Sequence, residues 1–262
     1  MRAGALAGTG RLRADVGACT VELAPGVTCE VRLLRDTRAR RLRLLIDDRG
    51  PRMTLPPTAS MASVQRFLAE HRAWLHEQWD RLQPHRATAA VAGDTAHLPL
   101  RGVEVPVRWE DARRADVRRE DDALCIRHVP GASDRAWRAA MLDFYRAEAR
   151  ADIGLWLPEL LPGLPRPPTQ FRLRPLASLW GSLNRDGIVS LDLSLILAPS
   201  PAFRYVLVHE LCHLIEANHS SRFWRAVAER CPDYAHQRRW LHEAGPRLKS
   251  ALRAVVESSA AD

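Results

Sequence analysis

The sequence predicts an α+β chain: a β-rich N-terminal subdomain, then a C-terminal α+β core built on one central helix. Three observations predict it. Strand-like stretches crowd residues 27–129, where "TCEVRLL", "RLRLLI" and "VEVPVRW" alternate or run apolar. Composition changes near "PGASD", after which long helical patterns take over. Within those, "YVLVHELCHLI" (residues 205–215) is apolar nearly all round, as a helix in the middle of a core must be. The domain boundaries expected on this basis are a loose Gly/Ala/Arg tail over 1–18, the β-rich subdomain with one helix over 19–130, the α+β core over 131–246, and a C-terminal tail over 247–262. With 262 residues, 46% of them apolar and 27% charged, the chain is long enough to bury such cores.

The elements follow in order. "TCEVRLL" and "RLRLLI" are strands, and Asp47, Asp48, Gly50 and Pro51 make a turn into "RMTL". Ser60 caps a helix in which Val64, Phe67, Leu68, His71, Trp74, Leu75 and Trp79 recur at helical spacing, so one face lies on the sheet; Pro84 stops it. "AHLPL", "VEVPVRW" and "ALCIRHV" are further strands. Ser133 or Asp134 opens a helix through "RAWRAAMLDFYRAEARADIGLWL", and the Pro-rich "PELLPGLPRPP" is a loop. "TQFRLR" and "GIVSLDLS" are strands joined by the loop "PLASLWGSLNRD". Pro199 or Ser200 then opens the central helix.

Charge and cysteine usage narrow the function classes. Formal net charge is +8 and the pI is about 10.0, carried almost wholly by arginine; Lys249 is the one lysine. Nucleic acid is the partner a basic chain raises, but these arginines are spread along the sequence and form no clustered basic patch. Five cysteines without a CxxC pair argue against a disulfide framework and for a reducing compartment. The N-terminus lacks the apolar core of a signal peptide, and no run approaches the roughly 20 apolar residues of a membrane span. A cytoplasmic protein with no membrane partner is expected.

The chemistry concentrates in "HELCHLIEANH", residues 209–219. His209 and His213 stand about 40° apart around a helix, so both imidazoles reach one point, as two nitrogens about 2 Å from a Zn²⁺ require. Glu210 sits where a carboxylate takes a proton from metal-bound water. A third ligand, His219, imposes a condition. On a continuing helix it would lie about 240° round and roughly 9 Å beyond His213. The helix must therefore end between Glu216 and Asn218, with Asn218 in the left-handed conformation that closes helices, and Ser220 or Ser221 capping the next one. Without a partner, two His and one Glu on a buried helix would be costly, and a metal with a water satisfies all three. Cys212 as a structural ligand, or Glu216, Glu229 or His236 in place of His219, are the rival ligand assignments.

"HELCHLIEANHSSRFW", the following "CPDYAHQRRWL" and the upstream "WGS" loop with "VSLDLSLILAP" resemble the YgjP-like metallopeptidases, relatives of SprT-like proteases. The similarity extends more weakly through "VRLLRDTRARRLRLLIDDRGPRMTLPP", so it covers about residue 28 to 245. It implies a zincin-like catalytic core, one Zn²⁺ per chain on His209, His213 and His219, Glu210 as general base, and a peptide or protein substrate. Two departures stand out. The family commonly reads "RWGSC" where this chain has "LWGSL", with Leu179 and Leu183, and it often carries Asn where this chain has Asp192. Trp180, Gly181 and Ser182 are expected to line the substrate cleft, and the strand Ile188 to Leu193 to pair with an extended peptide. Tyr205, Phe223 and Trp224 are expected to pack. Hydrolysis of nucleotide phosphoanhydrides, or a nucleic-acid-associated SprT-like protease, are the alternative functions.

Overall fold

The computed structural model describes residues 13–47, 50–82, 88–176 and 179–257. Residues 1–12 of the expected tail, the turn residue Asp48 and the helix stop at Pro84 lie outside the described residues. The architecture is α+β, with strands dominating the N-terminal half and helices the C-terminal half. It divides into two compact units, Met1–Arg86 and Ala87–Asp262. The second strand-rich stretch thus shares a core with the C-terminal half, and the division falls well before residue 130.

In the first unit, β1 (Arg13–Ala24) and β2 (Val27–Asp36) form an antiparallel hairpin that turns at Gly26, whose φ of 76° suits a residue without Cβ. β4 (Gly50–Leu55) runs parallel to β2, and β3 (Arg43–Asp47) antiparallel to β4, giving the order β1-β2-β4-β3. Cys29, Val31 and Leu33 are buried while Glu30 and Arg32 are exposed, the period of two that a sheet with one covered face demands. The covering element is two helices where one was expected, α1 (Met61–Glu70) and α2 (Arg72–Leu82). Ser60 caps α1 through its side-chain oxygen, which accepts from Ser63 N at 3.2 Å. The break comes at His71, whose ring bonds the Phe67 carbonyl at 2.9 Å and stacks on Phe67. Val64, Leu68 and Leu75 complete this core; Trp74 points outward.

The second unit begins with β5 (His97–Leu100), β6 (Val103–Asp111), β7 (Asp116–Glu120) and β8 (Ala123–His128), ordered β5-β6-β8-β7. β7 reads "DVRRE" and is an exposed edge strand, which is why its polar sequence carried no strand signal. α3 (Arg135–Leu160) packs on this sheet through Trp137, Met141 and Tyr145, and the Tyr145 hydroxyl donates to Pro99 O at 2.9 Å. β9 (Gln170–Arg174), β10 (Gly181–Leu183) and β11 (Ile188–Asp192) make a small sheet in the order β10-β11-β9. β10 lies inside the segment expected as loop. β11 is flanked on both sides, parallel to β9 and antiparallel to β10. It therefore has no edge for a peptide; the edges of this sheet are β9 and β10.

A 3-10 turn (Leu193–Leu197) leads from β11 into α4 (Ser200–Cys212). The β5–β6 turn holds this turn in place: Arg101 N donates to Ile196 O at 2.8 Å and Gly102 N to Leu197 O at 2.9 Å. Arg101 is anchored in turn on Glu148 and Asp152 of α3, at 2.6 and 2.8 Å. A Cβ on Gly102 would stand 2.9 Å from the Pro199 side chain, so only glycine allows this approach to the start of α4. α5 (Ser221–Arg230) and α6 (Tyr234–Val256) follow, the latter running into the segment expected as C-terminal tail because Leu252 and Val255 are buried. α4 buries nine of its residues and is the central helix of this core. Among the described residues no helix is long and apolar enough to cross a membrane.

Candidate metal centre

α4 presents His209 and Glu210 from its last turn, and His213 is the residue that caps it. The helix ends earlier than the expected Glu216–Asn218. Its exit tightens through three-residue spans, His213 N to Glu210 O at 3.3 Å, Leu214 N to Leu211 O at 3.0 Å and Ile215 N to Cys212 O at 3.0 Å. Asn218 does not take a left-handed φ; among described non-glycine residues only Arg101 and Asp121 do. The reversal is completed instead by a tight turn in which Ser220 N donates to Asn218 O at 2.8 Å. Ser220 then caps α5, its hydroxyl accepting from Phe223 N at 3.3 Å. The chain does turn back as the third histidine requires, by a different local route.

The result brings His209, His213 and His219 together, with one nitrogen from each lying within 4.8 Å of the others. His209 Nε2 and His219 Nε2 face each other at 3.0 Å. Two nitrogens held tetrahedrally at about 2.0–2.1 Å from one ion stand roughly 3.3 Å apart, so the His209–His219 pair is near the spacing of Zn²⁺ ligands and the chemistry of the three donors suits that ion. His213 Nδ1 lies 3.2 Å from Glu216 O; a carbonyl only accepts, so the proton sits on Nδ1 and the Nε2 lone pair is free for a metal. His209 Nδ1 is buried with no hydrogen-bond partner among the described residues, so packing orients that ring. Phe223 does most of this, touching all three imidazoles, stacked on His213 at 4.5 Å and edge-on to His209 and His219 at 4.9 and 4.8 Å. Phe223 is buried, as expected, but as the floor of the triad. Burial pushes the His209 pKa down to about 4 and lowers that of His213, keeping both rings neutral, the form that binds metal.

Glu210 is 5% exposed, and its carboxylate makes no hydrogen bond or ion pair with any described residue. Burial pushes its pKa up to about 7. It lies directly under β10: a Cβ on Gly181 would stand 2.6 Å from Glu210 Oε1, so the strand can pass only as glycine. The cleft above has a volume of about 320 Å³. Of the expected lining residues, Trp180 and Gly181 line it and Ser182 does not; Tyr205, whose hydroxyl burial pushes up to about 12, also faces it. Arg238, Leu241 and His242 of α6 form the opposite wall. Sequence reasoning missed these three. Their spacing marks one helix face, but nothing in the sequence says which face of α6 meets the cleft. Cys212 is buried in the core, and Glu216, Glu229 and His236 stay outside the cluster of histidine nitrogens.

A model of the YgjP-like metallopeptidase domain matches residues 40–244, most of the chain. The chain belongs to the YgjP-like metallopeptidase family. It is a hydrolase of the metallopeptidase class, and that class works with a divalent metal. Among solved structures, the metallopeptidase zymogen abylysin of Pyrococcus abyssi is similar at 25% identity, covering 40% of this chain and 96% of its own, with a TM-score of 0.27. A comparison with curated proteins finds no match.

The departures from the YgjP-like pattern now have surroundings. Leu179 is 57% exposed at the cleft mouth, and Leu183 is half-buried in β10 against the core. Asp192 is buried at the end of β11, where it pairs with Lys249 Nζ at 2.8 Å and accepts from Leu176 N at 2.7 Å and from the Ser194 backbone and hydroxyl. Lys249 also donates to Leu176 O and Leu179 O and lies 4.8 Å from the centre of the Trp180 ring. The negative charge that Asp brings where the family often has Asn is thus matched by the chain's one lysine.

Proposed function

We propose that this chain is a zinc-dependent peptidase in which His209, His213 and His219 hold the metal and Glu210 is the general base. The observation that carries the reading is the convergence of three imidazole nitrogens beside a buried carboxylate with no partner among the described residues. Zn²⁺ bound there supplies Lewis acidity, lowering the pKa of a water toward 7 and polarising the scissile carbonyl. Glu210 accepts the proton of the attacking water and passes it to the leaving amine, acting first as base and then as acid. Its unusual basicity suits both steps, since a carboxyl near 7 exchanges protons readily at neutral pH. Gly181 keeps β10 close enough to exclude bulk water from that carboxylate. The open edge of β10 offers main-chain hydrogen bonds to an extended peptide, with Trp180 and Gly181 beside the scissile bond.

The test is turnover of an unstructured protein such as casein by zinc-loaded enzyme and by its Glu210→Gln variant. Cleavage by the first and a loss of about 100-fold or more in the second are expected. Cleavage that survives the substitution removes Glu210 from the role.

A further inference from the structure

Outside the triad and Glu210, the cleft carries a cation that the proposed chemistry does not use. Arg238 and His242 lie one turn apart on the same face of α6 and both line it, with Leu241 between them. The Arg238 guanidinium lies over the Trp224 ring at 5.1 Å. Trp224 in turn packs against His209 and His219, with ring centres 5.9 and 5.8 Å apart. One aromatic ring therefore separates this cation from the metal ligands. Arg238 is exposed and makes no hydrogen bond or ion pair with any described residue, so its donors are available to a ligand in the cleft. A cation–π contact with Trp224 uses the face of that ring and none of the guanidinium's N–H donors for a hydrogen bond. The one acidic group lining the cleft is Glu210, committed to proton transfer, and the facing wall of Leu179 and Trp180 is apolar.

We propose that Arg238, assisted by His242, forms a subsite that selects peptides by a carboxylate close to the scissile bond. A planar guanidinium with free edge donors matches a carboxylate through two parallel hydrogen bonds. That carboxylate comes either from an Asp or Glu side chain or from the peptide's own C-terminus. A nucleoside triphosphate is a poorer fit, carrying more charge than one arginine and one histidine balance. The proposal rests on the peptidase reading.

Three alanine-based hexapeptides test it: one with an internal Gln and an amidated end, one with Glu in place of that Gln, and one with Gln and a free C-terminal carboxylate. Zinc-loaded enzyme is expected to favour at least one of the acidic peptides by about 10-fold or more in kcat/KM, mostly through KM, as one charge-assisted pair provides. Which of the two is favoured identifies the source. Arg238→Met keeps an apolar stem against Trp224 without the charge; it should reduce the preference below about 3-fold while zinc content stays at one per chain. Equal cleavage of all three peptides by wild type, or an unchanged preference in Arg238→Met, overturns the subsite. If zinc-loaded enzyme cleaves none of them, tryptophan fluorescence titration with the same peptides reads the subsite alone, and the peptidase reading is decided separately by casein turnover. Binding of an acidic peptide about 10-fold tighter than the neutral one upholds the subsite, and equal or absent binding overturns it.

Discussion

Glu210 combines near-complete burial with the absence of any partner among the described residues, an arrangement that costs stability and is kept where the group has work to do. Its protonation makes a definite prediction. Burial holds the carboxyl near 7, above its ordinary 4.5, and a cation beside it pulls the other way, so the functional value lies between the two. The base must be ionised, so kcat/KM should rise with pH across that window and fall as pH drops through it. A rate that increases on acidification from pH 7 to pH 5 contradicts the assignment. His213→Ala should remove the metal and lower the melting temperature, because His209 and Glu210 then stay buried without the ion that satisfies them; zinc titration and a thermal melt read both. At this scale the sequence was most legible. The HExxH spacing dictates two imidazoles and a carboxylate on one helix, and the third histidine dictates a reversal. The manner of the reversal was not legible, since tight three-residue hydrogen bonds after Cys212, rather than a left-handed Asn218, redirect the chain.

Strands and helices place these side chains through a few close contacts. β10 passes over Glu210 because residue 181 has no side chain. Gly181→Ala should therefore push the strand or the carboxylate aside, lowering kcat while zinc stays bound; unchanged kcat would mean that this contact does not shape the site. Leu176 and Leu179 are held by Lys249 and Asp192, and Trp180 packs so tightly on α6 that a Cβ on Gly245 would stand 2.8 Å from its ring. Lys249→Met leaves Asp192 buried and uncompensated, a loss of about 3–5 kcal/mol. Adding Asp192→Asn should recover much of it, since the amide removes the buried charge and its single oxygen can still accept from Ser194 N. Denaturant unfolding of single and double variants decides this; no recovery in the double variant shows that the ion pair itself is what matters. None of this was visible in the sequence. β10 is three residues long, too short for an alternating pattern, and the Lys249–Asp192 pair joins residues 57 apart. By contrast α3, α4 and α5 announce themselves through long periodic patterns and the Ser220 cap.

The whole molecule is basic, +8, and the three histidines and the cleft lie within the second unit, on elements whose order along the chain is strand, helix, reversal, helix. A positive field attracts anionic substrates and weakens as salt rises, so kcat/KM for an acidic peptide should fall between about 50 mM and 500 mM salt more than that for a neutral one. The α+β class and the strand-rich first half were legible from periodicity, yet the partition of the strands was not: "VEVPVRW" and "ALCIRHV" look like their predecessors but bury their apolar residues against α3. Which sheet a strand joins depends on the partner it covers, and alternation alone does not encode that. The central claim remains that three histidines hold one zinc. Metal content of the purified wild type, Glu210→Gln and His219→Ala proteins after zinc reconstitution tests it most directly. The account predicts about one zinc per chain in the first two and its loss in the third. Full zinc occupancy in His219→Ala, or none in wild type, would contradict it.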